Sequence, residues 1–377
     1  MKRRSILIIA ASIGSGHIKA AEAVSDELKI QYPDASIEIV DFTKWKISWA
    51  TAFMKACYLF MLRFIPNLYD LMYRFTGGKS GGISVQSLIS AITSADIASL
   101  VKKYQPDVIL CTHPFPAGAA SWRKKRHPNE FLFSTVITDY SVHQMWIYKN
   151  VDCYFVAREA MKTDLITAGL PAENVWVTGI PVKAGFHQAA DKAEVLSDLG
   201  LEAGIPTVLI MGGGLGLGGM EYTLKTLGKI ETKLQLIVIA GRNEELKRRM
   251  EESSKDCRHS VCVLGFTQRV RDYMMAADLL ISKPGALTIT EALSAELPMV
   301  LHEPIPGPET ENAVYIARLG AAVWVNKESR LEEELKNIFA SQEKLTEMRK
   351  REHLIKRPLA AKEIAEILSR DLENFIN

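Results

Sequence analysis

One pattern occurs in each half of this chain and leaves few folds open: a short run that is apolar throughout, a glycine-rich turn, then a helical stretch. Ser5 to Ala11 (SILIIAA) runs into Ser12, Gly14 and Gly16 before the helical pattern Ile18 to Leu28. Thr207 to Met211 runs into Gly212 to Gly219, a helix, and a further apolar run, Leu234 to Ala240. A run without polar alternation belongs to a strand covered on both faces, the usual state of a parallel sheet between helical layers. Ser36 to Val40, Asp107 to Cys111 and Leu132 to Thr138 read as further strands of the first half. Ser260 to Leu264, Leu279 to Ser282, Pro298 to Leu301 and Ala321 to Val325 read as strands of the second. Strands alternating with helices predict two doubly wound α/β domains. A length of 377 residues suits two domains. The joint is expected between Gly179 and Gly204, giving domains 1–180 and 181–357. The amphipathic stretch Leu359 to Ile376, beyond Pro358, is placed to cross back to the first domain.

Composition narrows the partners. The formal net charge of +2 offers no general attraction for nucleic acid, so basic function must come from local clusters. Five scattered cysteines, Cys57, Cys111, Cys153, Cys257 and Cys262, suit a reducing cytoplasm rather than a disulfide framework. The apolar start leads into a turn without a signal-peptide cleavage pattern, and no run reaches the roughly 18 to 20 apolar residues of a membrane span. Cys257 and Cys262 lack partners at zinc spacing and no acidic pair recommends magnesium, so neither a protein-bound metal nor a cofactor is expected.

The clearest ligand signal is Ser282-Lys283-Pro284-Gly285-Ala286-Leu287-Thr288-Ile289-Thr290-Glu291, which follows an apolar strand and opens a helix. Proline at a helix start loses no needed amide, and Gly285 lets a ligand approach free amides at the positive end of the helix dipole. A diphosphate fits there. Glu291, on the same helical face as Thr288, is suited to a ribose diol; the competing reading is an ordinary capped helix. Gly212 to Gly219, including Gly213 and Gly214, has the same strand-to-helix logic without the Lys-Ser or Lys-Thr of a P-loop. Arg242 or Lys283 supplies a cation for a diphosphate leaving group.

Gly14-Ser15-Gly16-His17 partly resembles a dinucleotide fingerprint, with Asp41 at the end of the next strand where a ribose would be read; Lys19 stands in place of the third glycine. This leaves open a nicotinamide-dependent oxidoreductase. His17, an imidazole at a helix start, is a candidate general base, the alternative being a capping or solvent-facing histidine. Thr138-Asp139-Tyr140 closes a strand, so Asp139 faces the expected ligand crevice, to orient an acceptor, polarise a histidine or cap the turn; His143 and Trp146 follow.

Between Lys44 and Lys79 six cations stand against one acid, Asp70, among nine aromatic residues. Trp45, Trp49, Lys55 and Arg63 belong to this set, which suits an anionic membrane surface; a core helix with solvated charges is the alternative. A second basic group is Trp122-Arg123-Lys124-Lys125-Arg126-His127.

Taken in order, ILIIAASIGSGHIKAAEAV, VITDYSVHQMW, VTGIPV, ISKPGALTITEA and EPIPGPETENA resemble the monogalactosyldiacylglycerol synthase and processive diacylglycerol glucosyltransferase group of glycosyltransferase family 28, over nearly the whole chain. The resemblance implies a GT-B fold, two Rossmann-like domains about a cleft, and inverting transfer of a sugar from a UDP donor to diacylglycerol. The expected location is the cytoplasm, peripherally associated with the inner face of the cell membrane. By motif it makes His17 the base, with Gly16 near the donor. It gives Gly212, Gly213, Gly214, Ser282, Gly285, Ala286, Leu287, Thr288 and Glu291 to the diphosphate and ribose. Phe266 and Val270, with Arg242, fall to the uracil; Glu309, Glu311 and Asn312 fall near the sugar. Pro308 stands where glucosyltransferase relatives often have glutamine; glucose is the expected sugar. A transferase acting on a polyprenyl-diphosphate lipid is the nearest alternative.

Overall fold

The computed structural model describes residues 3–12, 14–45, 75–77, 79–186, 190–212 and 219–376. It divides into two compact units, 1–184 with 306–308 and 358–377, and 185–305 with 309–357.

The first unit is built on six parallel strands: β1 (Ser5–Ala10), β2 (Ser36–Asp41), β3 (Val108–Cys111), β4 (Leu132–Val136), β5 (Cys153–Val156) and β6 (Val175–Val177). Their order is β2-β1-β3-β4-β5-β6. The central strands are buried along their length, as an all-parallel sheet with helices on both faces requires. Helices α1 (Gly16–Gln31), α2 (Lys79–Tyr104), α3 (Pro114–Arg126) and α4 (Glu159–Thr167) make the crossovers among the described residues. Because β1 sits between β2 and β3, the chain leaves it to one side first and to the other later. The switch point of the sheet therefore lies between the ends of β1 and β3, where open α/β sheets bind ligands.

The second unit repeats the plan. Strands β7 (Thr207–Met211), β8 (Gln235–Ile239), β9 (Ser260–Leu264), β10 (Leu279–Ser282), β11 (Met299–His302) and β12 (Ala322–Val325) are ordered β12-β11-β10-β7-β8-β9, all parallel. Its switch point lies between β7 and β10, so the glycine loop after β7 and the Ser282–Gly285 loop after β10 flank it. Helices α5 (Lys192–Asp198), α6 (Met220–Leu227), α7 (Glu244–Ser254), α8 (Val270–Ala276), α9 (Ala286–Ser294), α10 (Pro308–Arg318), α11 (Leu331–Phe339) and α12 (Gln342–Ile355) complete it.

The last helix, α13 (Ala360–Ile376), belongs to the first unit. Ile364, Ala365, Leu368 and Leu372 form one helical stripe, and they join the core made by Ile6, Ile8, Val24, Leu28, Leu110 and Phe155. The sheets match the expected α/β class, and the strands read from sequence stand within one or two residues of their observed ends; β5 and β6 were not foreseen.

Candidate functional site

In the first unit His17 lies in the first turn of α1, at the switch point. Its Nδ1 is 2.7 Å from the Thr112 carbonyl oxygen, just beyond β3, and 2.8 Å from Thr138 Oγ1, just beyond β4. The Thr112 hydroxyl in turn donates to the His17 carbonyl at 2.9 Å. A carbonyl can only accept, so the Nδ1 of His17 carries the proton and Nε2 keeps its lone pair. Burial lowers the imidazole pKa to about 4, against a smaller upward pull from the Thr112 carbonyl. The ring is neutral at physiological pH, the form a base needs.

The neighbouring strand ends serve mainly to build this loop cluster. Asp41 is committed to its own turn: Oδ1 accepts from Ser12 N at 3.1 Å, Thr43 N at 3.0 Å and Thr43 Oγ1 at 2.7 Å. Those bonds hold its carboxyl below the usual range despite burial, which opposes them. Its Oδ1 thus holds the β1 and β2 loops together, while Oδ2 has no hydrogen-bond partner among the described residues. Lys19 pairs with Glu22 at 3.0 Å. Asp139 is half-buried beside Thr138 and has partners of its own.

The proposed lipid-facing residues separate. His143 Nδ1 accepts the Met145 N–H at 3.2 Å, capping a single 3-10 turn, and Nε2 is 3.4 Å from Thr76 Oγ1. Trp146, a candidate on the acceptor side, is only 3 % exposed, so its ring belongs to the core. Trp45 stacks with the Lys103 ammonium, 4.6 Å above its ring, and with Tyr104. Trp49, Lys55 and Arg63 lie outside the described residues. The second basic group is partly structural. Lys124 is buried against the Phe131 carbonyl at 2.7 Å and Asp152 at 2.8 Å, and Arg123 grips Glu130 through two nitrogens. Spacing alone does not tell a paired cation from a free one, and these partners lie several residues away.

In the second unit Gly285 is the N-cap of α9, with no side chain capping the helix. Gly285 has φ −65°, open to any residue; what glycine gives is a bare face, since the nearest atoms a Cβ there would meet are Lys283 Nζ at 3.5 Å, Glu309 Oε1 at 3.6 Å and Thr288 Oγ1 at 3.9 Å. Ser282 is buried with its hydroxyl unpartnered among the described residues, and Ala286 is buried. Leu287, Thr288 and Glu291 are half-buried along the first turns. Glu291 has a partner in the structure as it stands. Gly212 is buried at the end of β7, whereas Gly213 and Gly214 lie outside the described residues.

Lys283 differs from expectation. It forms a close ion pair with Glu309, whose other oxygen accepts the Ile305 N–H at 2.8 Å, so its charge is already balanced. The cation suggested for a diphosphate at Lys283 is thus one already shared with Glu309. Asn312, fully buried, donates to the Pro284 carbonyl at 3.4 Å, tying α10 to the Ser282–Gly285 loop; Glu311 is exposed. The Lys283–Glu309 pairing joins residues far apart in sequence and left no signal there. Exposed Arg242 lies over the Phe266 ring at 4.6 Å, and Phe266 is 53 % exposed, a flat platform near half-buried Val270. Among the described residues no group of three or more potential ligands gathers for a metal.

Known proteins agree with this layout. Residues 17–182 match the family model for monogalactosyldiacylglycerol (MGDG) synthase and residues 207–364 that for the glycosyltransferase family 28 C-terminal domain. A processive diacylglycerol beta-glucosyltransferase of Staphylococcus epidermidis is 32 % identical over 85 % of this chain and 80 % of its own. One from Bacillus licheniformis is 28 % identical over 92 % and 90 %. Among solved structures, Acinetobacter baumannii MurG superposes with a TM-score of 0.63 at 17 % identity, covering 97 % of this chain and 99 % of its own. Anabaena Alr3699/HepE in complex with UDP gives 0.58 at 16 %, covering 97 % and 100 %. The two parallel sheets thus have the GT-B fold, and the chain belongs to the monogalactosyldiacylglycerol synthase and processive diacylglycerol glucosyltransferase family of glycosyltransferase family 28.

Proposed function

We propose that this protein is an inverting glycosyltransferase that moves a hexose, glucose in the first instance, from a UDP donor to the free hydroxyl of diacylglycerol. The observation that carries the chemistry is His17: a neutral imidazole whose bare Nε2 is fixed by the Thr112 carbonyl at the switch point of the first sheet. The relatives named as diacylglycerol glucosyltransferases support the donor and acceptor. In this reading the Arg242–Phe266 platform stacks the uracil, Glu291 takes the ribose, and the amides opening α9 face the diphosphate. Glu309, braced by Lys283 and the Ile305 N–H, is held toward the sugar.

As the acceptor oxygen bonds to the anomeric carbon, its proton passes to His17 Nε2 and UDP leaves with the bonding pair. The imidazolium so formed keeps its Nδ1–H on the Thr112 carbonyl and beside Thr138 Oγ1. Because the resting pKa is about 4, the base form persists down to mildly acidic pH. General-base assistance is worth about 100- to 10,000-fold. His17→Ala is expected to lose about that factor in kcat while still binding UDP. The test is incubation with diacylglycerol vesicles and UDP-glucose or UDP-galactose, with lipid products identified by mass spectrometry. Near-normal turnover by His17→Ala removes His17 from the base role, and product from UDP-galactose alone changes the sugar.

Association with a membrane surface completes the proposal. No helix among the described residues is long and apolar enough to cross a bilayer. Helix α2 has no charged residue between Lys79 and Asp96, and it exposes Ile83, Leu88 and Ile92 at 52, 61 and 38 %. Leu88 and Ile92, four residues apart, share one side of the helix, and an exposed apolar pair of that kind supports docking on lipid.

A further inference from the structure

A second imidazole lies beside His17 and has no part in the chemistry described so far. His113, at the end of the β3 loop, is 5 % exposed, and its ring meets the His17 ring edge to face, centroids 4.6 Å apart and planes 76° apart. Its Nδ1 accepts the Phe115 N–H at 3.2 Å, capping α3. A backbone N–H can only donate, so His113 Nδ1 is bare and the proton of the neutral ring sits on Nε2. His17 has the opposite tautomer for the opposite reason, its Nδ1 facing a carbonyl. Burial, and then the proximity of His17, keep His113 from protonating. Two neutral rings in contact thus offer one Nε2 lone pair and one Nε2–H, and among the described residues that N–H has no protein acceptor.

We propose that His113 is a second catalytic residue on the acceptor side, donating its Nε2–H to an oxygen of the acceptor alcohol and so turning the attacking hydroxyl toward His17 Nε2. No proton is transferred at His113. Its ligand is a polyoxygenated alcohol, such as a glycerol backbone with an ester oxygen next to the free hydroxyl. The inference rests on the transferase reading above.

Amide side chains separate its two nitrogens. His113→Asn keeps an acceptor near Nδ1 for the Phe115 N–H and loses the donor, whereas His113→Gln brings an amide N–H near the Nε2 position and weakens the cap. Loss of one neutral hydrogen bond corresponds to about a 3- to 10-fold effect. We expect His113→Asn to lower kcat/KM for the lipid acceptor by that factor or more, with KM for the UDP-sugar within twofold of the unaltered protein. His113→Gln should recover part of the loss even where its melting temperature is the lower of the two. Undiminished lipid transfer by His113→Asn, or equal loss in Asn and Gln variants, overturns the donor role. Absence of transfer by the unaltered protein with either sugar donor overturns the underlying reading, and this inference with it.

Discussion

Two side chains show how partners decide chemistry. His17 and Glu352 are both desolvated, yet only His17 has a backbone group that fixes its protonation at a defined atom. Glu352, in α12, is fully buried, and neither carboxyl oxygen finds a hydrogen-bond donor among the described residues. Burial raises its pKa to about 9, with Arg349 pulling the other way. The unfolded chain ionises this group near its ordinary value of 4.5, whereas the folded chain keeps it protonated to about pH 9. Stability therefore falls as pH rises between those values. Glu352→Gln, neutral at every pH, is expected to raise the melting temperature at pH 8 and to change it little at pH 4. An equal effect at both pH values would show that ionisation is not the cost. His113 was legible in principle. His113-Pro114 marks a helix start with the histidine as cap, but the ring contact with His17 joins loops nearly a hundred residues apart, beyond any local pattern.

At the scale of elements, the sequence revealed ten of the twelve strands among the described residues. β1, β7 and β9 are five or six residues long and stand where their apolar runs place them. β5 and β6, four and three residues, are not among the strands read from sequence, and pairing rather than local pattern defines them. Both are strands because β4 offers an open edge to β5, and β5 then offers one to β6. The stripe of α13 was legible as amphipathic, whereas the surface it covers was fixed only by packing. Ile364 is fully buried in the core of the first unit. Ile364→Ala should destabilise that unit by about 2–5 kcal/mol, transfer loss and cavity together. Urea unfolding followed by far-UV circular dichroism measures it; a change below 1 kcal/mol would mean α13 contributes little to that core.

Over the whole molecule, charge is balanced, so attraction to an anionic surface rests on local groups, each worth about 1 kcal/mol near a membrane. Arg123 and Lys124 are engaged with Glu130, Asp152 and the Phe131 carbonyl, and Lys44 pairs with Asp41 at 3.4 Å; among the described residues exposed Lys125 and Arg126 and the exposed pair Leu88 and Ile92 of α2 remain as candidates. Flotation with anionic vesicles at low salt is expected for the intact protein, and Leu88→Glu with Ile92→Glu should reduce the bound fraction several-fold. Unchanged flotation by that double variant would remove α2 from the membrane-facing surface. The sequence by itself determined the doubly wound character of both sheets, ten of their twelve described strands and the candidate loops at their ends, because buried parallel strands and helix starts leave local patterns. Only the tertiary structure decided which charges are free, which histidine nitrogen is bare and which second imidazole stands beside it. Those properties depend on partners that folding brings together from distant positions.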